Sequence, residues 1–206
     1  MEEKELQNEL ASIRSIMERS SKFISLSGLS GILAGIYALI GAAIAYVLVY
    51  SGTSSIYTSA DVPSHRQTLY YLIAAALIVL IASLGTGLIL TKRQAKRKGQ
   101  PIWGKISQSL LFHMAIPLIT GGILVLIFIS RGYYGIVSPC CLIFYGLSLI
   151  SASNFTFSDV KYLGLLEIAL GLIAACLPGY GLLFWAIGFG VLHIIYGSMM
   201  YLKYDK

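Results

Sequence analysis

Three ionisable side chains lie inside strongly apolar stretches of this sequence: Glu167, His193 and His113. An ionisable group at the centre of a membrane-spanning helix costs roughly 2.5–3.5 kcal/mol, so such residues are rare and each one needs a reason. A carboxyl group and an imidazole that lie close together can pass a proton between them near neutral pH. The residue types therefore indicate proton exchange in apolar surroundings.

The three side chains are predicted to share one depth. Glu167 lies about seven residues into its apolar run, His193 about nine residues before the end of the last run, and His113 about six to eight residues into the third. At a rise of 1.5 Å per residue, each lies roughly 10–13 Å below the same face of a membrane. We expect a single polar layer.

The neighbours of two of these residues predict a direct contact. Glu167 and His193 each have a glycine three residues before and four residues after, which places small residues on the same helix face. These glycines are Gly164, Gly171, Gly190 and Gly197. Small residues let helices approach closely, and the short Pro178-Gly179 turn makes the two helices neighbours. The sequence predicts that Glu167 contacts His193, with His113 as a third member if its helix packs against them.

Three interpretations of this layer compete. The pair could couple proton exchange to the movement of a solute, or it could be a polar tie that fixes helix register. Metal binding has the right residue types, but they come from different helices without HxxxH or ExxH spacing. The sequence contains no GxSxG or HExxH and no aspartate pair within an apolar run, so we expect no enzyme activity, no metal and no cofactor. Adjacent Cys140 and Cys141 are read as packing residues, with a redox role as the alternative.

Long apolar helices must position these side chains. Of the 206 residues, 57% are hydrophobic and 12% are charged, which is more apolar surface than a soluble core of this length can bury. The apolar residues form runs of about 20, the length of a membrane-spanning helix. The predicted spans are residues 23–50, 69–91, 107–130, 133–153, 160–178 and 181–202. The expected fold is an all-α, polytopic membrane domain over residues 23–206.

Charge predicts how this bundle is oriented. All of the 15 Lys and Arg except Arg66 and Arg131 fall on one side if the N-terminus is cytoplasmic. We therefore expect the inner membrane of a bacterium, with both termini cytoplasmic. The net charge of +6 then reflects basic residues that set the orientation in the membrane, and it does not indicate nucleic-acid binding. The basic loop 92–106 is also placed to touch anionic lipid head groups.

Residues 1–22 are predicted to form an amphipathic helix, because apolar Leu6, Leu10, Ile13 and Met17 recur at helical spacing. This helix could pack under the bundle, lie on the membrane surface, or pair protomers into a homo-oligomer. The first apolar run begins only after this polar stretch, which argues against a cleaved signal peptide.

Other residues predict how the helices pack and end. Gly31 and Gly35 form a GxxxG motif, for which packing within the chain is favoured over a dimer. Pro117 and Pro139 lie inside predicted spans and are expected to kink them. Tyrosine and tryptophan residues gather at the predicted span ends, as they do at membrane interfaces.

The segment LEIALGLIAACLPGYGLLFWAIGFGVLHIIYGSMMY, residues 166–201, resembles the helical hairpins of HdeD-type acid-resistance membrane proteins. The N-terminal stretch ELASIRSIMERSSKFISLSGLSGILAG is similar to small uncharacterised bacterial integral membrane proteins with six helices. These resemblances imply architecture and bacterial origin only. The leading functional expectation is a transporter or channel for a small solute or ion, and the alternative is a non-transporting structural or stress-related membrane protein.

Overall fold

The protein is described here by a computed structural model covering residues 22–23, 26–50, 65–99 and 102–205, with Gln7 and Ile13 as isolated helical positions. Within these ranges all regular structure is helical and no strand occurs. The rest of the predicted N-terminal helix and the loop 51–64 lie outside the described residues. The expectation of an all-α fold is confirmed for the part of the chain that is described.

Six helical segments follow one another along the chain. They are α1 (Gly28–Tyr50), α2 (His65–Arg97), α3 (Lys105–Ser130), α4 (Val137–Ser153, preceded by the 3₁₀ turn Tyr134–Ile136), α5 (Val160–Cys176) and α6 (Gly181–Asp205). All of these except α5 are long and apolar enough to cross a membrane, with α4 counted together with its 3₁₀ turn. Helix α5 has 17 residues and a length of about 25 Å at 1.5 Å per residue.

The bundle has a core of four helices and two flanking ones. Helix α5 packs along α4, and α6 packs along α1 and also touches α4 and α5. Helix α3 lies mainly against α4, and α2 lies mainly against α1. No residue in the most apolar stretch of α2 is buried, so this helix lies outside the core of the bundle. The polar layer lies in the four-helix core.

Two tight turns form the hairpins that the sequence predicts. Gly132 follows α3 with φ of 80°, and Gly179 follows α5 with φ of 93°. Both values lie in the left-handed region, which glycine adopts without the steric cost that a Cβ atom brings. The turns at Arg131-Gly132 and Pro178-Gly179 are therefore confirmed.

The first and last described parts of the chain meet at one end of the bundle, which we call the tail end. The carboxylate of Asp205 accepts hydrogen bonds from the Gly28 amide at 2.8 Å, the Ser27 hydroxyl at 3.1 Å and the Gln94 side chain at 3.0 Å. Because Gly28 begins α1, the carboxylate caps that helix and opposes the positive end of its dipole. Nearby, Phe23 donates its backbone amide to the Phe155 carbonyl at 2.8 Å. One carboxylate thus ties together α1, α2 and α6.

The GxxxG motif of α1 packs within the chain. A Cβ atom on Gly35 would lie 2.6 Å from the Gly190 carbonyl oxygen of α6, and one on Gly31 would lie 3.2 Å from the Gly197 Cα atom. The backbones of α1 and α6 are thus in direct contact, which only glycine permits. The favoured interpretation of the motif is confirmed.

Two expectations about packing are wrong in detail. The small-residue faces of α5 and α6 do not pack against each other: Gly164 and Gly171 contact α4, whereas Gly190 and Gly197 contact α1. Pro139 lies in the first turn of α4, where its missing amide removes no helix hydrogen bond, so it does not kink that helix.

Pro117, by contrast, lies inside the continuous helix α3, as predicted. Because proline has no amide hydrogen, the His113 carbonyl one turn earlier lacks its helical donor.

Candidate functional site

Glu167 lies at the junction of three helices in the core. Its helix, α5, has one buried face, and the Glu167 side chain lies in the middle of it. The buried residues are Val160, Leu163, Gly164, Glu167, Gly171 and Ala174. Its side chain is fully buried. A Cβ atom on Gly188 of α6 would lie 2.5 Å both from Glu167 Oε2 and from the Leu142 side chain of α4. The carboxyl group therefore fills the space that the missing Gly188 side chain leaves.

The predicted contact between Glu167 and His193 is present. His193 Nδ1 lies 3.4 Å from Glu167 Oε1, and the two residues are called the Glu–His pair below. Neither Glu167 oxygen has a hydrogen-bond partner among the described residues. A buried carboxyl group without hydrogen bonds is costly, because water would otherwise solvate it.

The contacts of His193 fix which ring nitrogen carries the proton in its neutral form. Nδ1 lies 3.0 Å from the Gly188 carbonyl oxygen, which can only accept, so Nδ1 is the donor. The Tyr145 hydroxyl lies 2.8 Å from Nε2 and therefore donates to it. The proton on Nδ1 also lies on the side of the ring that faces Glu167. The imidazole thus links a hydroxyl on one side to a carboxyl group on the other.

Helix α6 is distorted where it forms the site. Its residues Gly181–Trp185 are α-helical, Ala186–Leu192 form a π-helix, and His193–Met200 are α-helical again. A π-helix widens the turn, and such segments are frequent at functional sites. Here it contains Gly188, whose carbonyl oxygen binds His193 and whose Cα faces Glu167. The wide turn positions both members of the pair.

Two further polar groups near this site are buried without hydrogen bonds among the described residues: the hydroxyls of Tyr196 and Ser148. Ser148 is fully buried and follows Tyr145 by three residues on α4. Tyr196 follows His193 by three residues on α6, so both pairs share a helix face. The layer therefore holds more polar groups than the sequence analysis singled out.

Tyr145 is the residue that the sequence analysis missed. A signal was available, because this tyrosine lies well inside the span 133–153 and not at an end, where membrane-interface tyrosines gather. Its ring packs 5.0 Å from Phe189 and 5.3 Å from His193. A tyrosine in mid-span needs a partner for its hydroxyl, and here that partner is His193.

His113 does not join the Glu–His pair. Its side chain is exposed; Nδ1 lies 2.8 Å from the Ser109 carbonyl oxygen, and the ring packs 4.6 Å from Phe155. Phe155 lies in the turn after α4, at the tail end, whereas Glu167 lies about 10 Å further in from Val160 at 1.5 Å per residue. His113 was expected to join the pair only if its helix packed against α5 and α6, and this condition is not met, because α3 packs mainly on α4.

Other candidate chemistry is not assembled by the described helices. Among the described residues no three His, Cys, Asp or Glu side chains come together in a group that could hold a metal ion. Cys140 is buried and Cys141 half-buried at the start of α4, while Cys176 is exposed at the end of α5. A groove of about 490 Å³ between α1 and α2 is lined almost entirely by apolar side chains such as Ile40, Ile78 and Val79. That groove does not include either member of the pair.

Comparisons of the chain with protein-family models, with curated proteins and with solved structures found no match. The resemblance to HdeD-type hairpins and to small bacterial membrane proteins stays a prediction. The geometry of the site is therefore what bears on function.

Proposed function

We propose that this protein is a proton-linked transporter or channel for a small solute or ion, in which the Glu–His pair carries the proton. One observation supports this most directly: the Glu167 carboxyl group is fully buried, has no hydrogen bond among the described residues, and lies 3.4 Å from a histidine nitrogen. Ionisable groups kept inside membrane helices commonly form proton relays.

The unmet hydrogen bonds argue against a purely stabilising role. A buried polar network stabilises a fold when all of its members are satisfied, and a half-satisfied one is worse than an apolar core. Glu167 is the half-satisfied member. A residue that destabilises the folded state in this way is retained for a task other than stability, and proton exchange with His193 is the task that its neighbours permit.

The chemistry needs only one mobile proton. In one state His193 carries a proton on both ring nitrogens, and its Nδ1 faces the Glu167 carboxylate across 3.4 Å. Transfer of the Nδ1 proton gives a carboxylic acid and a neutral imidazole that keeps its proton on Nε2 and no longer donates to the Gly188 carbonyl. The pair is electrically neutral in these two states, so proton transfer between its members creates no isolated buried charge.

The location and topology belong to the same proposal. Helix α5 connects the tail end, where α4 ends, to the opposite end, where α6 begins; there the Ser138 hydroxyl of α4 donates to the Gly181 carbonyl at 2.5 Å. A connection between opposite ends favours α5 as a sixth span, despite its 17 residues. With the basic residues counted on one side, the tail end is the cytoplasmic end of a bacterial inner-membrane protein.

The second candidate is a structural or stress-related membrane protein in which the pair only ties helices together. It is favoured by the close packing of Gly188 and Leu142 around Glu167, which leaves its side chain fully buried. On this interpretation the carboxyl group locks α4, α5 and α6 in register and nothing moves.

Proton flux in vesicles separates the two candidates. The purified protein is reconstituted with a pH-sensitive dye inside, a pH gradient is imposed, and the rate of internal pH change is compared with that of empty vesicles. We expect Glu167→Gln, which keeps the shape of the side chain but cannot ionise, to lower the rate to that of empty vesicles. The control is Thr86→Val, which removes a hydroxyl bonded only within α2 to the Ala82 and Ser83 carbonyls.

Each result decides between the candidates. Flux that persists unchanged in Glu167→Gln excludes Glu167 as the carrier. A parent protein with no flux above empty vesicles, together with a loss of folding stability in Glu167→Gln, supports the structural candidate instead.

A further inference from the structure

Tyr196 has a buried hydroxyl group that the proposed Glu–His chemistry does not use. The oxygen is inaccessible to solvent and has no hydrogen-bond partner among the described residues. It lies on the face of α6 that carries His193 three residues earlier and Tyr204 eight residues later. Burying an unpaired hydroxyl group destabilises a fold, so its position needs an explanation.

A second polar cluster lies on the same face of α6, at the tail end. Asp159 Oδ2 accepts a hydrogen bond from the Tyr204 hydroxyl at 3.0 Å and from Lys203 Nζ at 2.7 Å. The Asp159 side chain is 22% exposed, so it can exchange protons with water. We call Asp159, Lys203 and Tyr204 the tail cluster.

Tyr196 lies between the two polar clusters. Along α6 it follows His193 by three residues and precedes Tyr204, a member of the tail cluster, by eight. Tyr145 belongs to the site, because it donates to His193. The rings of Tyr145, Tyr196 and Tyr204 all pack against the same apolar cluster, which contains the buried residues Leu149, Phe157, Val160, Leu163 and Met200.

That apolar cluster separates the two groups of polar residues. Leu163 and Met200 are buried between the tail cluster and the Glu–His pair. The Tyr196 ring packs against this apolar cluster, and its buried hydroxyl has no hydrogen-bond partner among the described residues. In this conformation no hydrogen bond therefore joins Tyr196 to Tyr145 or to Tyr204.

From this arrangement we infer that Tyr196 is the switch of a proton path that runs from Asp159 at the tail end to Glu167 in the core. This inference extends the proposed function, because it names the path by which the Glu–His pair would exchange protons with one side. A rotation of the Tyr196 side chain that brings its hydroxyl to Tyr145 and Tyr204 connects the path, so that protons can pass. In the conformation described, the path is interrupted, which prevents a proton leak.

The proton count balances along this path. The Tyr204 hydroxyl takes a proton from Asp159 and gives its own to the Tyr196 oxygen, which passes its proton to the Tyr145 oxygen. Tyr145 in turn protonates His193 at Nε2. The ring then releases its Nδ1 proton to Glu167, which changes from carboxylate to carboxylic acid, and each hydroxyl regains a proton.

The test follows protonation of Glu167 and does not need a transported solute. In infrared difference spectra, the carbonyl band of a protonated Glu167 is the carboxylic acid band that disappears in Glu167→Gln. After a jump in pH, the time course of this band in the full-length protein in detergent reports how fast protons reach the core. The variant is Tyr196→Phe, which keeps the ring and the packing, and the control is Tyr162→Phe, a 65% exposed tyrosine on α5.

We expect Tyr196→Phe to slow this protonation about 10²-fold, the lower range of what a positioned proton donor contributes to a transfer step. Tyr162→Phe should behave like the parent. A Tyr196→Phe variant that equilibrates as fast as the parent overturns the switch, whatever its flux in vesicles. If vesicle flux is absent but Tyr196→Phe still slows protonation, the path stands and the transport proposal fails. If the parent protein shows no band at any pH that is lost in Glu167→Gln, both the proton path and the proposed transport function are wrong.

Discussion

Adding one methyl group at Gly35 should destabilise the contact between α1 and α6. The new Cβ atom would lie 2.6 Å from the Gly190 carbonyl oxygen, whereas ordinary contact begins at 3.4 Å. The two helices must therefore separate by roughly 0.8 Å, because a backbone carbonyl cannot rotate away as a flexible side chain can. Overpacking of this kind costs about 1–3 kcal/mol. Alanine is favoured over glycine in a helix by about 0.5–1 kcal/mol, which offsets part of that cost.

The net expectation for Gly35→Ala is a loss of about 1 kcal/mol, and at most about 2.5 kcal/mol, in the free energy of unfolding, which is the difference between these two contributions. The matched control is Gly87→Ala in α2, where a Cβ atom meets nothing within 4 Å, so that variant should gain up to about 1 kcal/mol. Both are measured by reversible unfolding in mixed detergent micelles. If Gly35→Ala is as stable as Gly87→Ala, the inferred backbone contact between α1 and α6 is wrong.

Three further outcomes are expected. Asp205→Asn removes the charge that caps α1 at Gly28, and should lower the free energy of unfolding by about 0.3–1 kcal/mol at low salt; equal stability at low and high salt would contradict this. Gly188→Ala places a Cβ atom 2.5 Å from Glu167 Oε2, and should shift the infrared carboxylic acid band of Glu167; an unchanged band would show that the two do not touch. The hydrogen bond from Lys203 lowers the pKa of Asp159. The ion pair therefore stabilises the fold fully above the ordinary aspartate pKa of about 3.9, and this stabilisation is lost as the pH falls through the lowered pKa. Asp159→Asn should remove this part of the acid sensitivity of the unfolding midpoint.

Local patterns in the sequence were enough to predict the helices and the contact between Glu167 and His193. Apolar runs of spanning length predict where the helices lie, and the Pro178-Gly179 turn makes α5 and α6 neighbours. Because Glu167 and His193 then lie at similar depths, their contact follows from helix geometry. Predictions of this kind hold because they need only the rise per residue and a short connection.

Partners that depend on the order of helices around the bundle could not be predicted. His113 was grouped with Glu167 by depth alone, but depth does not specify which helix stands beside which, and α3 packs on α4. The same gap explains why Gly164 and Gly171 were not assigned to α4. A stripe of small residues predicts a close neighbour without identifying it.

The π-helix of α6 and the Asp205 cap lacked a sequence signal for a different reason. A π-helical turn forms where packing and ligation favour one wider turn, and Ala186–Leu192 reads as an ordinary apolar helix. Asp205 caps α1 across a separation of 177 residues, and no local capping pattern can show a contact of that kind.

The pairing of α1 with α6 also sets an order of assembly. During synthesis α1 and α2 enter the membrane first, yet the glycine face of α1 has to wait for Gly190 and Gly197 of the last described helix. Until that helix docks, Glu167 on α5 lacks His193, and the Gly28 amide lacks Asp205. Docking of α6 therefore completes the helix packing, the end cap and the Glu–His pair in one step. A chain released before this step carries a carboxyl group in apolar surroundings without its histidine neighbour, which is costly.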